Sequence, residues 1–397
     1  MARSAPSKSP PAVVLGLNLT ALGTIRALAR RGIAVTAIAT REGRVSEYTR
    51  YGTKLFDARV DADACVDVLE ELGPRFAEPP VLFASSDAHC VVMSAHRERL
   101  AAWYRYVYPE RDVFATLMDK GRLALWAREH GFAVPGTVVV TEGESCREAA
   151  QALRFPCVLK PTLRSSVWTH KWPKTMVLDT REALEQVYPQ IADDAPGYIV
   201  QEIIPGGDDD IYFCLVYLDR GGEVRARYGV RKIRQQPPLY GTASLAVSWP
   251  QDEVAEAAVA LLQRAGYRGI GSVEFKRDPR DGRLYVMEAT VGRVDLNCPL
   301  ATAAGVNIPY LAYCDAAELP LPELHVVRPG LKWCNERDDF AAAGQYRRHG
   351  DLSLAAWLRS LRGPCTYATW ARDDPLPFVL LSLGFSARAV GIRSRWW

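Results

Sequence analysis

Apolar runs alternate with amphipathic stretches over the first hundred residues. Each short apolar run predicts a buried strand, and each stretch with apolar positions three or four residues apart predicts a helix. Strands that alternate with helices indicate an open parallel sheet, so we predict an α/β domain over 12–112. The expected elements are strands at 12–17, 35–39 and 81–84 and a helix at 20–31.

Further along the chain, the pattern changes to strands that follow each other more closely. We predict a small α/β unit over 113–200 and a larger one over 201–320, and a helical C-terminal appendage over 321–397. Residues 1–11 are rich in Ser and Pro and are expected to form a disordered leader. The fold class is therefore mixed, α/β in the first domain and α+β afterwards.

A hairpin within 270–290 carries the clearest chemical signal. Residues 270–277 and 283–290 read as strands on either side of Asp278-Pro-Arg-Asp-Gly282, which has the composition of a turn. Folding at this turn places Glu274 beside Glu288 on one face. Two such anions repel each other unless a cation lies between them, and oxygen ligands without His or Cys suit Mg²⁺. The alternative is a solvated hairpin edge with alternating charges.

Composition narrows the class of protein. The chain has 397 residues, 48% of them apolar, and a net charge of +3, which is too small to indicate nucleic acid as a partner. Nine cysteines without a C-x-x-C pair favour reduced thiols and a cytoplasmic protein, and six scattered histidines argue against zinc. No apolar run reaches the roughly 18–20 residues of a membrane span, so no integral membrane segment is expected.

The glycine turn after the first strand departs from a dinucleotide-binding motif. Asn18 and Ala21 stand where G-x-G-x-x-G has its second and third glycines, and Thr40 follows the second strand where an acid is needed. A nicotinamide-dependent reductase would rest on Gly16 alone. The helix N-terminus at this turn is still suited to an anionic group.

No P-loop motif is present, so separated lysines are the candidates for binding phosphate. Lys160 ends the apolar strand 157–159, and Lys120 stands at a helix start, where the helix dipole disfavours a cation. Ordinary surface lysines are the alternative. The strand 198–204 then runs into Pro205-Gly-Gly207 and three acids, which suits a flat heterocycle bound along a linker, or simply an acidic turn.

Five segments, taken in order, resemble the ATP-grasp superfamily over residues 12–320. They are Asp119-Lys120 with Gly131-Phe-Ala-Val-Pro135, the lysine strand 155–161, the linker 201–206, the two acidic strands at 271–276 and 286–288, and the closing segment 303–310. Within the superfamily, the chain looks most like carboxylate–amine ligases of the D-aspartate-ligase type, with a likeness to the large chain of carbamoyl-phosphate synthase. The first domain then resembles the Rossmann-like domain that precedes the ATP-grasp fold.

The resemblance implies roles for individual residues. ATP would be bound by Lys120, Lys160, Gln201, Glu202, Ile204, Asp208, Asp210, Arg164, Lys171 and Lys174. Glu274, Glu288 and Asn297 would hold Mg²⁺. Arg293, Arg231 and Lys232 would contact the transferred phosphate and the intermediate.

Two departures from the family pattern bear on these roles. Thr290 stands where the family commonly has an asparagine, so Asn297 is the candidate replacement. The segment 163–174, which should cover the phosphates, contains no glycine and would act through its basic side chains.

The resemblance implies ATP-dependent ligation through an acyl phosphate. The substrates would be a small-molecule carboxylate, such as an amino acid or a sugar-acid precursor of a cell-surface polysaccharide, and an amine. A homodimer is compatible with the family. A nucleotide-binding regulatory module that has lost turnover is the alternative.

Overall fold

The computed structural model describes residues 9–42, 44–61, 64–141, 143–163, 166–324 and 330–389. Most of the predicted leader, residues 1–8, lies outside the described residues, as do Arg164 and residues 390–397. The strands of these described residues form three sheets. One belongs to the first domain, one to a small unit and one to a large unit. The C-terminal appendage (the tail) extends the sheet of the large unit.

The first domain contains the predicted open parallel sheet. Its elements are β1 (Ala12–Leu15), α1 (Leu19–Ala29), β2 (Val35–Ala39), β3 (Thr53–Phe56), α2 (Cys65–Leu72), β4 (Val81–Phe83), α3 (Asp87–Ala95) and α4 (Arg97–Ala101). The four strands lie in the order β3-β2-β1-β4, and every pairing between them is parallel. Helix α1 begins where the Asn18 side chain accepts a hydrogen bond from the backbone of Ala21 at 2.9 Å.

Gly16 at the end of β1 is required by packing. Its φ is +86°, and a Cβ at this position would lie 2.6 Å from the Ser85 Oγ and 3.1 Å from the His89 ring. The first glycine of the turn is therefore explained by the close approach of the chain segment after β4, without a dinucleotide.

The small unit is an antiparallel sheet covered by helices on an apolar core that includes Trp168 and Tyr198. Its elements are α5 (Arg111–Met118), α6 (Lys120–Glu129), β5 (Thr137–Val140), α7 (Gly143–Ala152), β6 (Cys157–Pro161), α8 (Ser166–Lys171), β7 (Met176–Leu178), α9 (Arg181–Ile191) and β8 (Tyr198–Glu202). The strands lie in the order β5-β8-β6-β7, and β8 continues two residues past the predicted boundary at 200.

The large unit is built around a strand that is buried on both faces. In this strand, β9 (Ile211–Leu218), Cys214 and Val216 pack into one apolar cluster, whereas Phe213 and Leu215 pack into another. Successive side chains of a strand point to opposite faces of the sheet. Its elements are β9 (Ile211–Leu218), β10 (Val224–Gln236), β11 (Thr242–Ser248), α10 (Asp252–Arg264), β12 (Gly269–Arg277), β13 (Leu284–Val291), α11 (Cys298–Ala303) and α12 (Ile308–Ala316).

The C-terminal appendage contains the expected helices, but it is not purely helical. Two short strands, β14 (Lys332–Cys334) and β15 (Cys365–Tyr367), extend the sheet to seven strands, in the order β13-β12-β9-β10-β11-β14-β15. Three residues are too few to show a period of two, so no strand could be predicted here. The elements are β14 (Lys332–Cys334), α13 (Glu336–His349), α14 (Leu354–Ser360), β15 (Cys365–Tyr367) and α15 (Leu376–Ala389).

The tail is also bound to the first domain. Arg26 of α1 and Asp374 form a buried ion pair with an Nε–Oδ2 distance of 2.9 Å. In the part of the chain that the structure describes, no helix has the length and apolar character needed to cross a bilayer.

Candidate active site

Glu274 and Glu288 are register partners in the antiparallel pair β12–β13, as predicted from the sequence of the hairpin. The register shifts immediately after Glu274, so this pair stands beside a bulge. Both side chains are half-buried. Two carboxylates brought together in this way need positive charge close by.

Lysines supply that charge. Lys232 of β10 is 4% exposed, and its Nζ lies 2.8 Å from Oε2 of Glu274. Desolvation opposes ionisation of Glu288, but the surrounding lysines outweigh it and hold the pKa of that carboxyl far below its usual range. Glu288 is therefore an anion. The lysines responsible are Lys174, Lys120, Lys160 and Lys232.

Lys160 stands at the end of β6 among other cations. The pKa of Lys160 is lowered to about 8, mainly by burial and in addition by the charges of Lys174 and Lys120. Glu288 and Glu274 act in the opposite direction without restoring the usual value. A group of lysines held this close together is suited to a polyanion such as a phosphate chain.

A first chamber of about 770 Å³, including its open mouth, lies between the sheets of the small and large units. Lys120, Lys160, Glu274 and Glu288 lie at its charged end. Apolar side chains form much of the remaining wall, which gives a slot for a flat ring. These side chains are Val158, Ile203, Ile204, Ile211, Leu239 and Met287.

A second chamber of about 780 Å³ lies on the other side of the carboxylates. Both chambers are lined by Lys120, Lys174, Glu274 and Glu288, so the carboxylate pair stands where they meet. The wall of the second chamber is polar and includes Ser272, Thr290, Arg293, Asp295 and Asn297.

The first domain reaches the second chamber through Asp87, the first residue of α3. Its Oδ1 accepts a hydrogen bond from Nε of Arg293 at 2.7 Å. Although desolvation opposes the charged form, Asp87 raises the pKa of Arg293 above its ordinary value. A backbone bridge between Ala84 and Arg293 fixes the same contact at the end of β4.

Asn297 is 4% exposed, and its Nδ2 donates to Asp295 Oδ1 at 2.9 Å. Its Oδ1 is buried without a hydrogen-bond partner. A buried carbonyl oxygen of this kind normally has a partner. Because Asn297 lines the chamber that contains Glu274 and Glu288, this oxygen fits a bound cation or a ligand donor.

Several predicted ATP-binding residues lie outside both chambers. Gln201 is 2% exposed, and its Nε2 donates to Thr137 Oγ1 at 2.9 Å inside the small sheet. Lys171 pairs with Asp194 at 2.7 Å. The backbone of Gly207 donates to Asp210, which stabilises the linker turn.

Asp208 and Arg231 also lie away from the chamber walls. Both carboxylate oxygens of Asp208 are engaged by Gln235 and Tyr346, which leaves a ribose-binding role without support in this structure. Arg231 stacks over Trp249 at 4.9 Å, because its neighbour Lys232 takes the site-facing position of β10 and successive residues alternate. The remaining predicted residues line one chamber or both: Lys120, Lys160, Lys174, Glu202, Ile204, Lys232, Glu274, Glu288, Arg293 and Asn297.

Some residues that line the first chamber were not predicted from the sequence. Lys276 lines it, and its Nζ donates to the carbonyl of Gly206 at 3.0 Å. Burial lowers the pKa of Lys276. Its position two residues after Glu274 puts it on the same strand face, so the strand period would have identified it. Gln235 and Tyr240 were also missed, and no motif marks them.

Comparisons with known proteins agree with this architecture. No family model matches the chain. The chain is 25% identical over 240 residues to a D-aspartate ligase of Enterococcus faecium (strain Aus0004), and the match covers 57% of this chain and 56% of that protein. The chain thus spans about half the length of this curated relative.

Solved structures extend the likeness to most of the chain. The biotin carboxylase domain of Hydrogenobacter thermophilus 2-oxoglutarate carboxylase, in complex with MgADP, ADP and bicarbonate, superposes with a TM-score of 0.64 at 17% identity, covering 81% of this chain and 73% of that one. The L-amino acid ligase of Bacillus licheniformis superposes with a TM-score of 0.61 at 14% identity, covering 82% and 78%. These superpositions confirm the expectation from the sequence, and the chain has the ATP-grasp fold preceded by a Rossmann-like domain.

Proposed function

We propose that this protein is an ATP-dependent ligase that joins a carboxylate to an amine and releases ADP and phosphate. The observation that carries the proposal is the facing pair Glu274 and Glu288, which stands between two chambers and is surrounded by lysines. One chamber suits the nucleotide and the other suits the second substrate, so a γ-phosphate at the junction would meet the carboxylate that it activates.

The first chamber provides complementary surfaces for ATP. The apolar slot, with the linker backbone at Ile204, suits the adenine ring, and the charged end with Lys120, Lys160 and Lys174 suits the phosphates. Lys276 provides an additional cation on the same wall.

The residues present fit Mg²⁺. Within the described ranges no three Asp, Glu, His or Cys side chains gather as a metal site. Glu274, Glu288 and the unpartnered Oδ1 of Asn297 provide oxygen ligands, and Mg²⁺ is usually held by one or two carboxylates together with substrate phosphates. When bound, the ion would neutralise charge on the phosphates.

The reaction proceeds in two displacements. An oxygen of the substrate carboxylate attacks the γ-phosphorus, the bond to the β-γ bridging oxygen breaks, and ADP leaves, which gives an acyl phosphate. The nitrogen of the amine attacks the acyl carbon, loses a proton to solvent, and phosphate leaves. Lys232 and Arg293 line the second chamber and would stabilise the negative charge that develops.

An amino acid is the substrate class best supported for the second chamber. Arg293 provides a cation for a carboxylate, and Asp87 provides an anion for an ammonium group, at 2.7 Å from each other. The sequence relative is a D-aspartate ligase, and one structural neighbour is an L-amino acid ligase. A sugar acid would use the cation of Arg293 but would offer no ammonium group to Asp87.

The test is an ADP-release screen of amino acids and sugar acids, each paired with amines. ADP release that requires both substrates supports ligation. Glu288→Gln should abolish turnover and keep the fold, whereas Glu256→Gln on the exposed surface of α10 should behave as wild type. Full turnover of the Glu288 variant contradicts the proposal. Tight Mg-ATP binding without release for any pair would favour the regulatory module instead.

A further inference from the structure

A continuous chain of hydrogen bonds leads from the C-terminal appendage to the candidate metal-binding carboxylate. The hydroxyl of Tyr346 on α13 donates to Asp208 Oδ2. Gln235 donates to the same carboxylate twice, from its backbone N to Oδ2 at 2.9 Å and from Nε2 to Oδ1 at 2.8 Å. Lys232 Nζ donates to Gln235 Oε1 at 3.0 Å and lies 2.8 Å from Oε2 of Glu274.

The order of donors and acceptors in this chain admits one orientation of the Gln235 amide. Because Asp208 takes the NH₂ group, the amide oxygen must face Lys232. Asp208, Gln235 and Lys232 are 8%, 2% and 4% exposed, so water cannot readily replace a lost partner. Reversing the amide would place its NH₂ group against the ammonium of Lys232, which a buried site does not tolerate.

Tyr346 is held in place because its helix, α13 of the tail, is anchored to the large sheet. Helix α13 is fixed to β10 by Arg234, whose Nε lies 2.8 Å from Asp339 Oδ1 in a buried ion pair. Burial and the bond to Asp208 raise the pKa of Tyr346, so the hydroxyl remains a proton donor. The same helix thus packs against the strand that carries both Gln235 and Lys232.

The loop between β10 and β11 adds a second link. Leu239 and Tyr240 of this loop line the first chamber. Leu239 has a φ of +68°, which is strained for a branched side chain, and Gly241 has no room for a Cβ, which would lie 2.2 Å from the Gln236 backbone. Such a loop needs support from its surroundings, and α13 packs against β10 at its base.

We propose that Tyr346, Asp208 and Gln235 are positioning residues that orient Glu274 through Lys232, and that the appendage thereby sets the affinity of the site for magnesium and nucleotide. The identity of the ligand rests on the proposed function. The proposal replaces the ribose contact expected of Asp208 with a supporting role, since its carboxylate already accepts three hydrogen bonds.

The experiment measures ADP binding to the full chain by calorimetry over a series of Mg²⁺ concentrations. In Tyr346→Phe and Asp208→Asn, we expect the Mg²⁺ concentration for half-maximal binding to rise about 10- to 100-fold, the usual effect of removing a partner that orients a metal ligand. Excess Mg²⁺ should restore binding, which a general loss of folding would not allow. The double variant should match the more affected single variant, because both changes break one chain.

Tyr51→Phe is the matched control. The Tyr51 hydroxyl also bonds an aspartate of the tail, Asp373 Oδ2 at 2.6 Å, but neither residue lines a chamber or belongs to the hydrogen-bond chain that reaches Glu274. It should leave the Mg²⁺ dependence unchanged. If Asp208→Asn does not fold, Tyr346→Phe, which removes one hydroxyl, still decides the question.

The outcomes separate the two proposals. A wild-type protein that does not bind ADP at any Mg²⁺ concentration overturns the proposed function. A wild-type protein that binds, together with a Tyr346→Phe variant whose Mg²⁺ dependence is unchanged, overturns the positioning role alone.

Discussion

Arg293 and Asp87 form an ion pair with an Nε–Oδ1 distance of 2.7 Å, and this pair joins the Rossmann-like domain to the second chamber. Arg293 follows β13, the strand that carries Glu288, whereas Asp87 begins a helix of the first domain. The second chamber is therefore completed by a residue from a different domain, which explains why the sequence around the acidic hairpin does not reveal the substrate.

Replacing Arg293 with Lys should reduce kcat/KM for the carboxylate substrate about 10- to 100-fold, because a lysine keeps the charge but loses the planar set of donors. ADP affinity in the presence of Mg²⁺ should stay unchanged, since Arg293 lines the second chamber and not the first. Steady-state kinetics with each substrate and calorimetry with ADP measure the two effects separately.

Arg227→Lys is the control for that substitution. Arg227 pairs with Asp252 at 3.1 Å on the surface, where both side chains are largely exposed. It should change neither kinetics nor binding. An Arg293 variant that loses ADP affinity and substrate affinity together would contradict the division into two chambers.

The lowered pKa of Lys160 predicts that nucleotide binding depends on pH. Its pKa of about 8 in the free protein should rise when phosphates bind, because they favour the charged amine. The charged amine strengthens binding below pH 8, and this contribution is lost as pH rises through the pKa in the complex. Binding between these two pKa values should therefore take up a proton. Calorimetry in buffers of different ionisation enthalpy measures that proton.

Lys160→Met should remove this proton uptake and weaken ADP binding. Lys54→Met is a matched control, because burial lowers the pKa of Lys54 as well, but this lysine lies in the first domain and lines neither chamber. Proton uptake that persists without Lys160 would show that another group titrates.

Much of the site could be predicted because its chemistry is local in the sequence. Glu274 and Glu288 are separated by one turn, so strand periodicity and turn composition alone place them opposite each other. Lys160 and Lys120 each stand at an element end that the pattern marks clearly. The alternation of strands and helices before residue 112 likewise predicted the parallel sheet.

The remaining features depend on contacts between distant segments. Asp208 and Gln201 matched family positions by spacing. However, the Asp208 side chain accepts a hydrogen bond from Gln235, and the Gln201 side chain donates one to Thr137. No local pattern in the sequence reveals these contacts. Tyr346 lies 138 residues after its partner Asp208. Strand β14 has only three residues, and its pairing with β11 becomes visible only in three dimensions.

The attachment of the tail to the first domain leads to a prediction about stability. Asp374 is 1% exposed and accepts hydrogen bonds from Arg26, from Thr49 and from the backbone of Arg50. Asp374→Ala should lower the free energy of unfolding by about 3–5 kcal/mol, because it leaves the buried Arg26 charge without its carboxylate counter-ion. Urea denaturation monitored by tryptophan fluorescence measures the loss.

The neighbouring Asp373 provides the comparison. It pairs with Arg30 at 2.6 Å, but both side chains are about two-fifths exposed, and exposed pairs contribute about 0–1 kcal/mol. Asp373→Ala should therefore cost much less than Asp374→Ala. Equal losses for the two variants would mean that burial does not decide the strength of this attachment.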